Sequence, residues 1–331
     1  MKNKLLFPII FAFIFSSCSD FSGNEDAVEA SLKPAPVTTQ QEEDTPTRTY
    51  FDMDGITFGN NTFVAVGDGG AVLTSSDNGS SWDNGTSGTT RQLNEIAYGD
   101  STFVAVGDRG TLLYSSDNGT TWSVGTVANQ TSTTYDGVAY GNNVFVAIGS
   151  SNVIKSTDNG SNWNFVTTAN LNDVVFGYYD NASLVKYQFV GCGDDGAVET
   201  SDDGSNPWGS RDTPATGFVL NGITYGNNRF ISVGEDGKMI KSTDNGSNWS
   251  DVNSTVSNDL NSIAYGNNKF VAVGSNIVIV SSDNESSGYT PTNTTLTFED
   301  VTFGNGVFVA VGYKIIYTST DGNTWTQVYG E

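Results

Sequence analysis

The sequence predicts an all-β protein folded as a seven-bladed β-propeller with four antiparallel strands in each blade. Three observations lead to this prediction. A turn motif, S-x-D-x-G-x-x-W, recurs at spacings of 38 to 44 residues, which is a period typical of propeller blades. A second string, first seen as GITFGNNTFVAVG at 55–67, precedes every copy of the motif. The composition, rich in Gly, Asn, Ser and Thr with frequent Val, Ile, Phe and Tyr, is typical of strands joined by tight turns.

The turn motif has seven copies, numbered here as the first to the seventh repeat. Four are complete, whereas TSDDGSNPW at 200–208 has one inserted residue, SSDNESSGY at 281–289 lacks the Gly and the Trp, and STDGNTW at 319–325 is one residue short. In such a turn the Asp accepts hydrogen bonds from N–H groups, the Gly relieves a positive φ and the Trp packs over the loop. We therefore predict a structural role, not a catalytic one, for the motif residues. They are Asp77, Asp117, Asp158, Asp202, Asp244, Asp283 and Asp321, with Trp82, Trp122, Trp163, Trp208, Trp249 and Trp325.

Each repeat is expected to supply four strands. They are the I-x-Y-G strand, the F-V-A-V-G strand, the strand that enters the turn motif and a polar strand that begins at the Trp. From Phe63 to Val66 both faces of the second strand are apolar, as a strand packed between two neighbouring blades requires. The motif is therefore predicted to join the third and fourth strands of each blade in a propeller that spans residues 50–331.

The first 49 residues resemble an export and anchoring segment. Lys2 and Lys4, the apolar run LLFPIIFAFIF and two small residues form a secretory signal over 1–18. The string FSSC resembles a bacterial lipobox, which implies lipidation of Cys18; an ordinary cleaved signal is the alternative. Residues 19–49 are acidic and lack apolar periodicity, so we expect a disordered tether. The protein is then predicted to be secreted and lipid-anchored at the bacterial cell envelope, touching the membrane only through its lipid.

The charge and composition exclude several functions. With 14 Lys and Arg against 37 Asp and Glu, the formal net charge is −23, which disfavours nucleic acid as a partner. The chain contains no His, which removes His-dependent nucleophilic catalysis and the commonest zinc ligand. No phosphate-binding loop, paired-cysteine motif or dinucleotide fingerprint is present. We therefore expect no organic cofactor and no catalytic residue.

The turn motif together with the F-V-A-V-G strand resembles the BNR/Asp-box repeat superfamily of propellers over about residues 50–331. That superfamily includes sialidases, glucan-cleaving hydrolases and propellers of the photosystem II assembly-factor type. A sialidase resemblance would imply an opening F/Y-R-I-P motif and an arginine triad. Here the first repeat opens YFDMDGITFG, without Arg or Pro, and only Arg91, Arg109 and Arg211 are placed where they could share a face.

Two function classes remain. The first is a membrane-tethered, non-catalytic and monomeric propeller that binds a protein or glycan at the cell envelope, as a recognition scaffold or assembly factor. The alternative is a carboxylate-dependent glycoside hydrolase, sialidase-like or glucan-cleaving, because that chemistry needs two acidic groups and no His.

An inserted loop in the fourth repeat is the first candidate binding surface. The stretch YYDNASLVKY at 178–187 interrupts a turn that is short in the other repeats. Tyr178, Tyr179 and Tyr187 offer the rigid contact area that recognition surfaces use. The alternative is that these rings fold down onto their own blade.

The second candidate surface consists of the turns between the second and third strands. They read GDGG, GDRG, GDDG and GEDG in the first, second, fourth and fifth repeats. Counting strand directions places them on the face opposite the turn motifs, where their acidic residues would form an arc open on one side. Such an arc would attract a basic partner or a divalent cation; alternatively, Asp and Gly are simply what tight turns require. The acidic residues are Asp68, Asp108, Asp194, Asp195, Glu235 and Asp236.

Overall fold

The computed structural model describes residues 50–127, 133–149, 151–180, 185–205, 207–282 and 288–330, and at 179 and 180 it describes the backbone alone. These residues belong to one compact unit, Arg48–Glu331. The predicted signal with Cys18, the predicted tether and Asp283 lie outside the described residues. Within the described ranges, no helix is long and apolar enough to cross a membrane.

The protein is an all-β propeller, but the prediction of seven four-stranded blades is wrong. The strands form six hydrogen-bonded sheets and therefore six blades. The first, second, fourth and fifth sheets each contain four strands in sequence order, as predicted. The third sheet has five strands, and the sixth and seventh sequence repeats share one six-stranded sheet.

The bounds of the strands follow the repeats closely. The first sheet comprises β1 Met53–Gly59, β2 Thr62–Gly67, β3 Val72–Ser75 and β4 Asp83–Asn84, and the second β5 Leu93–Gly99, β6 Thr102–Gly107, β7 Thr111–Ser115 and β8 Ser123–Val124. The third comprises β9 Thr126–Val127, β10 Gly137–Gly141, β11 Val144–Ile148, β12 Val153–Ser156 and β13 Asn162–Thr167. The fourth comprises β14 Asp173–Asp180, β15 Val185–Cys192, β16 Val198–Ser201 and β17 Gly209–Ser210, and the fifth β18 Leu220–Gly226, β19 Arg229–Gly234, β20 Met239–Ser242 and β21 Ser250–Asp251. The sixth comprises β22 Leu260–Gly266, β23 Lys269–Ser281, β24 Tyr289–Gly304, β25 Val307–Gly312, β26 Ile315–Ser319 and β27 Thr326–Gly330.

The merger of the last two repeats has a local cause. Where four earlier repeats place a 3₁₀ turn between the second and third strands, the sixth has only G-S-N, so β23 runs through both positions without a break. The connector to the seventh repeat also stays extended, because Ser275 of β23 pairs with Thr297 of β24. The hydrogen-bonded ladder therefore continues from one repeat into the next and joins all the strands of both repeats in one sheet.

The extra strand of the third sheet comes from the repeat before it. β9 lies at the end of the second repeat and pairs in parallel with β13, through Asn162 opposite Thr126 and Trp163 opposite Val127. Every other strand pair in the described ranges is antiparallel. The second repeat thus adds one short strand to the outer edge of the third sheet.

The core lies between successive repeats. The second strands are buried on both faces, and Phe63, Val64, Ala65 and Val66 are each 0% exposed. Cys192 fills an equivalent core position and is also fully buried. At the meeting point of the chain ends, the N–H of Phe51 donates to the Tyr329 hydroxyl at 3.2 Å, and Tyr50 contacts the Tyr329 ring edge-on.

Successive repeats are held in contact by a glycine of one repeat and an aromatic ring of the next. A Cβ atom added at any of these glycines would lie 2.0–2.5 Å from atoms of that ring, closer than real contacts allow. The contact recurs in all seven repeats and closes from the last onto the first. The pairs are Gly59–Tyr98, Gly99–Tyr140, Gly141–Phe176, Gly177–Tyr225, Gly226–Tyr265, Gly266–Phe303 and Gly304–Phe58.

We expect Gly99→Ala to destabilise the fold because its Cβ would lie 2.0 Å from Cγ of Tyr140, so the two repeats must separate. Overpacking of this kind costs about 1–3 kcal/mol, measured as a fall in the urea unfolding midpoint. Gly209→Ala is the matched control, since its Cβ would meet its nearest neighbour at 3.7 Å. Equal effects of the two substitutions would contradict the assignment.

Candidate functional site: the acidic mouth of the ring

The aspartates of the turn motif are tied into their own turns. Ser75 Oγ donates to Asp77 Oδ1 at 2.8 Å, and the N–H and Oγ of Ser81 donate to the same carboxylate at 2.9 and 2.7 Å. These hydrogen bonds, those from Ser81 foremost, lower the pKa of Asp77 to about 2. The indole of Trp82 donates to the carbonyl of Gly79 at 3.1 Å. Asp117, Asp158, Asp244 and Asp321 accept equivalent bonds.

The structure changes the residue assignment in the fourth repeat. Ser201 opposes Phe189 in the register of β15 and β16, just as Ser75 opposes Phe63. The carboxylate two residues after that serine is Asp203, so Asp203 and not Asp202 occupies the motif position. The sequence alignment assigned the aspartate one position too early, because the inserted residue lies between the Gly and the Trp of this turn.

The inserted loop forms a long hairpin rather than a separate lobe. β14 and β15 pair as far as Asp180 opposite Val185. Tyr187 stacks on Phe176 with ring centroids 5.9 Å apart, yet it remains 48% exposed. Tyr178 packs at 5.6 Å from Tyr225 and remains 45% exposed. Each of these two rings thus packs against the blade on one side and is open to solvent on the other. The side chain of Tyr179 lies outside the described part of the structure.

The acidic turns of the predicted arc are four 3₁₀ turns. Their central residues have positive φ, which Asp195 and Asp236 adopt at 56° and 53°. Several of their carboxylates are engaged with neighbouring connectors, since Asp194 accepts from Asn170 at 2.8 Å and Asp195 from the N–H of Gly217 at 2.7 Å. Tight-turn chemistry therefore accounts for part of this acidity. Asp68, Asp194, Asp195, Glu235 and Asp236 are exposed and Asp108 is half-buried.

A second and more concentrated set of acids lies at the mouth of the central channel. Six carboxylates and four amides surround a cavity of about 170 Å³. We call these residues the acidic mouth. Its carboxylates are Asp54, Glu95, Asp136, Asp173, Glu299 and Asp300, and its amides are Asn94, Asn172, Asn221 and Asn261.

The start of each innermost strand positions these side chains. In β1, β5, β18, β22 and β24 the register shifts by one residue, which leaves Asp54, Asn94, Asn221, Asn261 and Glu299 without a partner in the ladder. Such a bulge redirects a side chain. The amides of the mouth bind the next repeat: Asn94 donates to the Tyr135 carbonyl at 3.0 Å, Asn172 to that of Leu220 at 3.1 Å, Asn221 to that of Leu260 at 3.0 Å and Asn261 to that of Phe298 at 2.9 Å.

In three of the repeats the next residue of the strand is one of the deeper carboxylates. Asp173 accepts the N–H groups of Val174 and Ile223 at 2.6 and 2.8 Å, and Ile223 belongs to the following repeat. Asp300 likewise accepts the N–H of Ile56 at 2.8 Å, which joins the last repeat to the first. These two carboxylates therefore link repeats as well as lining the channel.

Crowding and burial alter the acidity of the mouth. Removal from water raises the pKa of Asp54 and of Asp173 to about 7, and that of Asp300 to about 6. The same desolvation, with the negative charges of Asp300 and Asp173, raises the pKa of Glu95 well above its usual range. Near neutral pH the mouth therefore holds protons that an approaching cation would displace.

The mouth and the predicted arc lie at the same end of the ring. Asn172 of the mouth donates to Asp194 of the arc at 3.2 Å. A second cavity, also of about 170 Å³, is lined by Asp68 of the arc and by Asp54 and Glu299 of the mouth. Within the described ranges, however, no group of three or more His, Cys, Asp or Glu side chains is arranged to hold a metal ion.

The sequence contained a signal for the mouth that the motif analysis missed. Two residues before each I-x-Y-G string stands an Asp, Asn or Glu, as in MDGI, LNEI, YDGV, LNDV, LNGI, LNSI and FEDV. The pattern begins just upstream of the aligned string. It would have indicated a ring of polar side chains at one end of the innermost strands.

No protein-family model and no curated protein sequence matches this chain. Among solved structures, YCF48 from Cyanidioschyzon merolae is similar with a TM-score of 0.62 and 16% identity, over 82% of this chain and 95% of that one. YCF48 bound to D1 peptide gives 0.56 and 16%, over 72% and 81%. The GH74 enzyme of Niastella koreensis gives 0.66 and 15%, over 85% of this chain and 54% of the enzyme. At these identities the similarity establishes the propeller fold alone.

We expect Glu95→Gln to stabilise the protein at pH 8 and to change it little at pH 4.5. A raised pKa in the folded state means that folding is favoured by protonation, so stability falls as pH rises through the folded pKa. The variant removes the charge that Asp300 and Asp173 repel. A gain of about 1.4 kcal/mol would correspond to one pKa unit.

Urea midpoints of both proteins between pH 4.5 and 8 provide the measurement. Asp83→Asn, on exposed strand β4, is the control for the loss of one surface charge. Parallel pH profiles for wild type and Glu95→Gln would contradict the prediction.

Proposed function

We propose that this protein is a non-catalytic propeller that is tethered at the cell envelope and binds a cationic segment of a partner protein at the acidic mouth. The observation that carries the proposal is the convergence of six carboxylates on one channel opening in a chain of net charge −23. A Lys or Arg side chain entering the mouth would neutralise charges that now repel one another. The proposal of a tether is based on the lipobox-like string FSSC and the acidic segment that follows it.

Similarity to YCF48 bound to D1 peptide supports protein binding as a use of this fold. The volume of the mouth, about 170 Å³, supports a side chain rather than a whole ligand as its occupant, because ligand pockets generally measure about 300–1,000 Å³. Association is expected to be fast and sensitive to salt, since clustered charge steers an oppositely charged partner.

The proposal is tested with tetralysine as the probe and the full chain at low ionic strength. We expect Asp136→Asn combined with Glu299→Gln to weaken tetralysine binding at least about tenfold and to flatten its dependence on salt. Asp83→Asn combined with Asp100→Asn removes the same charge far from the mouth and is the matched control. Equal weakening by both double variants would mean that net charge alone attracts the probe and would overturn the proposal.

A carboxylate-dependent glycoside hydrolase remains the second candidate. The raised pKa of Glu95 favours it, because a protonated carboxyl near neutral pH can act as a general acid beside an ionised partner. In that case the protein should release reducing ends from a neutral polysaccharide, and Glu95→Gln should lower the rate at least about a hundredfold. Absence of turnover, or turnover unaffected by Glu95→Gln, would eliminate this candidate.

A further inference from the structure

The fourth repeat carries a cavity of about 490 Å³ at its turn motif, at the opposite end of the strands from the acidic mouth. Its wall is formed by β15, β16 and the irregular turn that follows them. The polar side chains that line it include Lys186, Gln188, Thr200, Asp202, Asp203 and Arg211.

The cavity coincides with a turn that has lost several of its usual internal bonds. In five other repeats the residue before the Trp donates its N–H to the motif aspartate, and in the first repeat that donor is Ser81. In the fourth repeat this position is Pro207, which has no N–H. Ser201 Oγ also turns away from the carboxylate and donates to the Ser205 carbonyl at 2.7 Å. Asp203 still accepts the N–H of Ser205 at 2.8 Å, but it lacks the bonds from the serine hydroxyl and from the residue before the Trp, so its carboxylate can accept further bonds on the cavity side.

The tryptophan of this turn shows the same change. In five repeats the indole N–H donates to the motif glycine at 2.8–3.1 Å. Trp208 lies four residues after Gly204 instead of three, and its Nε1 finds no partner within the described part of the chain although the side chain is only 9% exposed. An unpaired buried N–H is costly, so the irregular turn is less stable than its regular counterparts.

The polar groups around the cavity are held in place but not saturated. Arg211 donates through Nε and Nη2 to Thr200 Oγ1 at 3.0 and 2.6 Å, which leaves further guanidinium N–H groups to donate. Asp202 is approached by Gln188 Nε2 at 3.5 Å and by Lys186 Nζ at 3.9 Å, and its side chain is 70% exposed. The site therefore offers fixed donors and acceptors side by side.

We propose that this cavity is a binding site for a neutral oligosaccharide. Its volume falls within the range of ligand pockets, but its lining is polar where most such pockets are apolar, so the ligand must itself present donors and acceptors on all sides. Two cationic and two anionic side chains balance in the lining, which favours a ligand without net charge. Sugar hydroxyl groups both donate and accept hydrogen bonds, so one oligosaccharide can bind the Asp, Arg, Gln and Thr side chains of this lining at the same time.

The site is separate from the proposed function of the acidic mouth, and its test uses other residues. The full chain is titrated by calorimetry with cellotetraose, maltotetraose, mannotetraose, xylotetraose and chitotetraose. We expect at least one to bind with a Kd below about 1 mM. Asp203→Ala should weaken that binding at least about tenfold while leaving the tetralysine affinity unchanged, whereas Asp83→Ala should change neither.

Deletion of Pro207 provides a second variant that is expected to fold better, not worse. It converts the turn to S-D-D-G-S-N-W, the same length as the seven-residue turn S-T-D-G-N-T-W of the last repeat. Asn206 would then precede Trp208 and supply the missing N–H, and the cavity should close. We expect a higher unfolding midpoint together with loss of oligosaccharide binding.

Three results would overturn the proposal. The first is that none of the five tetrasaccharides binds at a concentration of about 10 mM. The second is that Asp203→Ala leaves binding intact, and the third is that binding survives the deletion of Pro207. Because tetralysine binding is measured on the same variants, failure of this site is distinguishable from failure of the acidic mouth.

Discussion

The contact between a glycine of one repeat and an aromatic ring of the next sets the geometry on which the rest of the molecule depends. With no Cβ at these positions, the innermost strands approach until the ring lies against bare backbone, and the contact recurs from Gly59–Tyr98 to Gly304–Phe58. Such close approach keeps the channel narrow. It leaves about 170 Å³ at the mouth, enough for the end of a side chain but not for a whole ligand. A ligand larger than a side chain could therefore contact this end of the ring only at its surface.

The sequence predicted the propeller, the order of strands in most repeats and the turn between the third and fourth strands, because side-chain alternation and turn residues are local signals. It failed where a feature depends on pairing between repeats. Nothing in G-S-N at 274–276 shows that Ser275 pairs with Thr297, yet this pair joins two repeats into one sheet. The alignment of Asp202 failed for a similar reason, since only the register of Ser201 with Phe189 reveals which carboxylate occupies the motif position.

The acidic mouth shows why net charge alone is a poor guide to a site. Asp173 and Asp300 are bound to N–H groups of the following repeats, so part of the acidity of the mouth serves the closure of the ring. Glu95 differs, because its one described hydrogen bond is to the N–H of its own neighbour Ile96, and its charge faces the other two acids. The sequence could place an acid at each position, but only the backbone of the neighbouring repeat shows which carboxylates link two repeats and which one does not.

A ring of near-identical repeats distributes structural bonds evenly, so a ligand site requires a repeat that departs from the pattern. In the regular turns the aspartate, serine and tryptophan side chains form hydrogen bonds within the turn, so they have few donors or acceptors free for a ligand. In the fourth repeat a single inserted residue breaks that arrangement. Pro207 has no N–H to donate, Trp208 loses its acceptor, and Asp203 keeps one bond within its turn, from Ser205, while it lines the cavity. The neighbouring repeats, whose strands remain regular, hold the irregular turn in place. Local stability is thus lost at one turn while the ring around it keeps the released side chains in a fixed arrangement, which is the condition that a binding site requires.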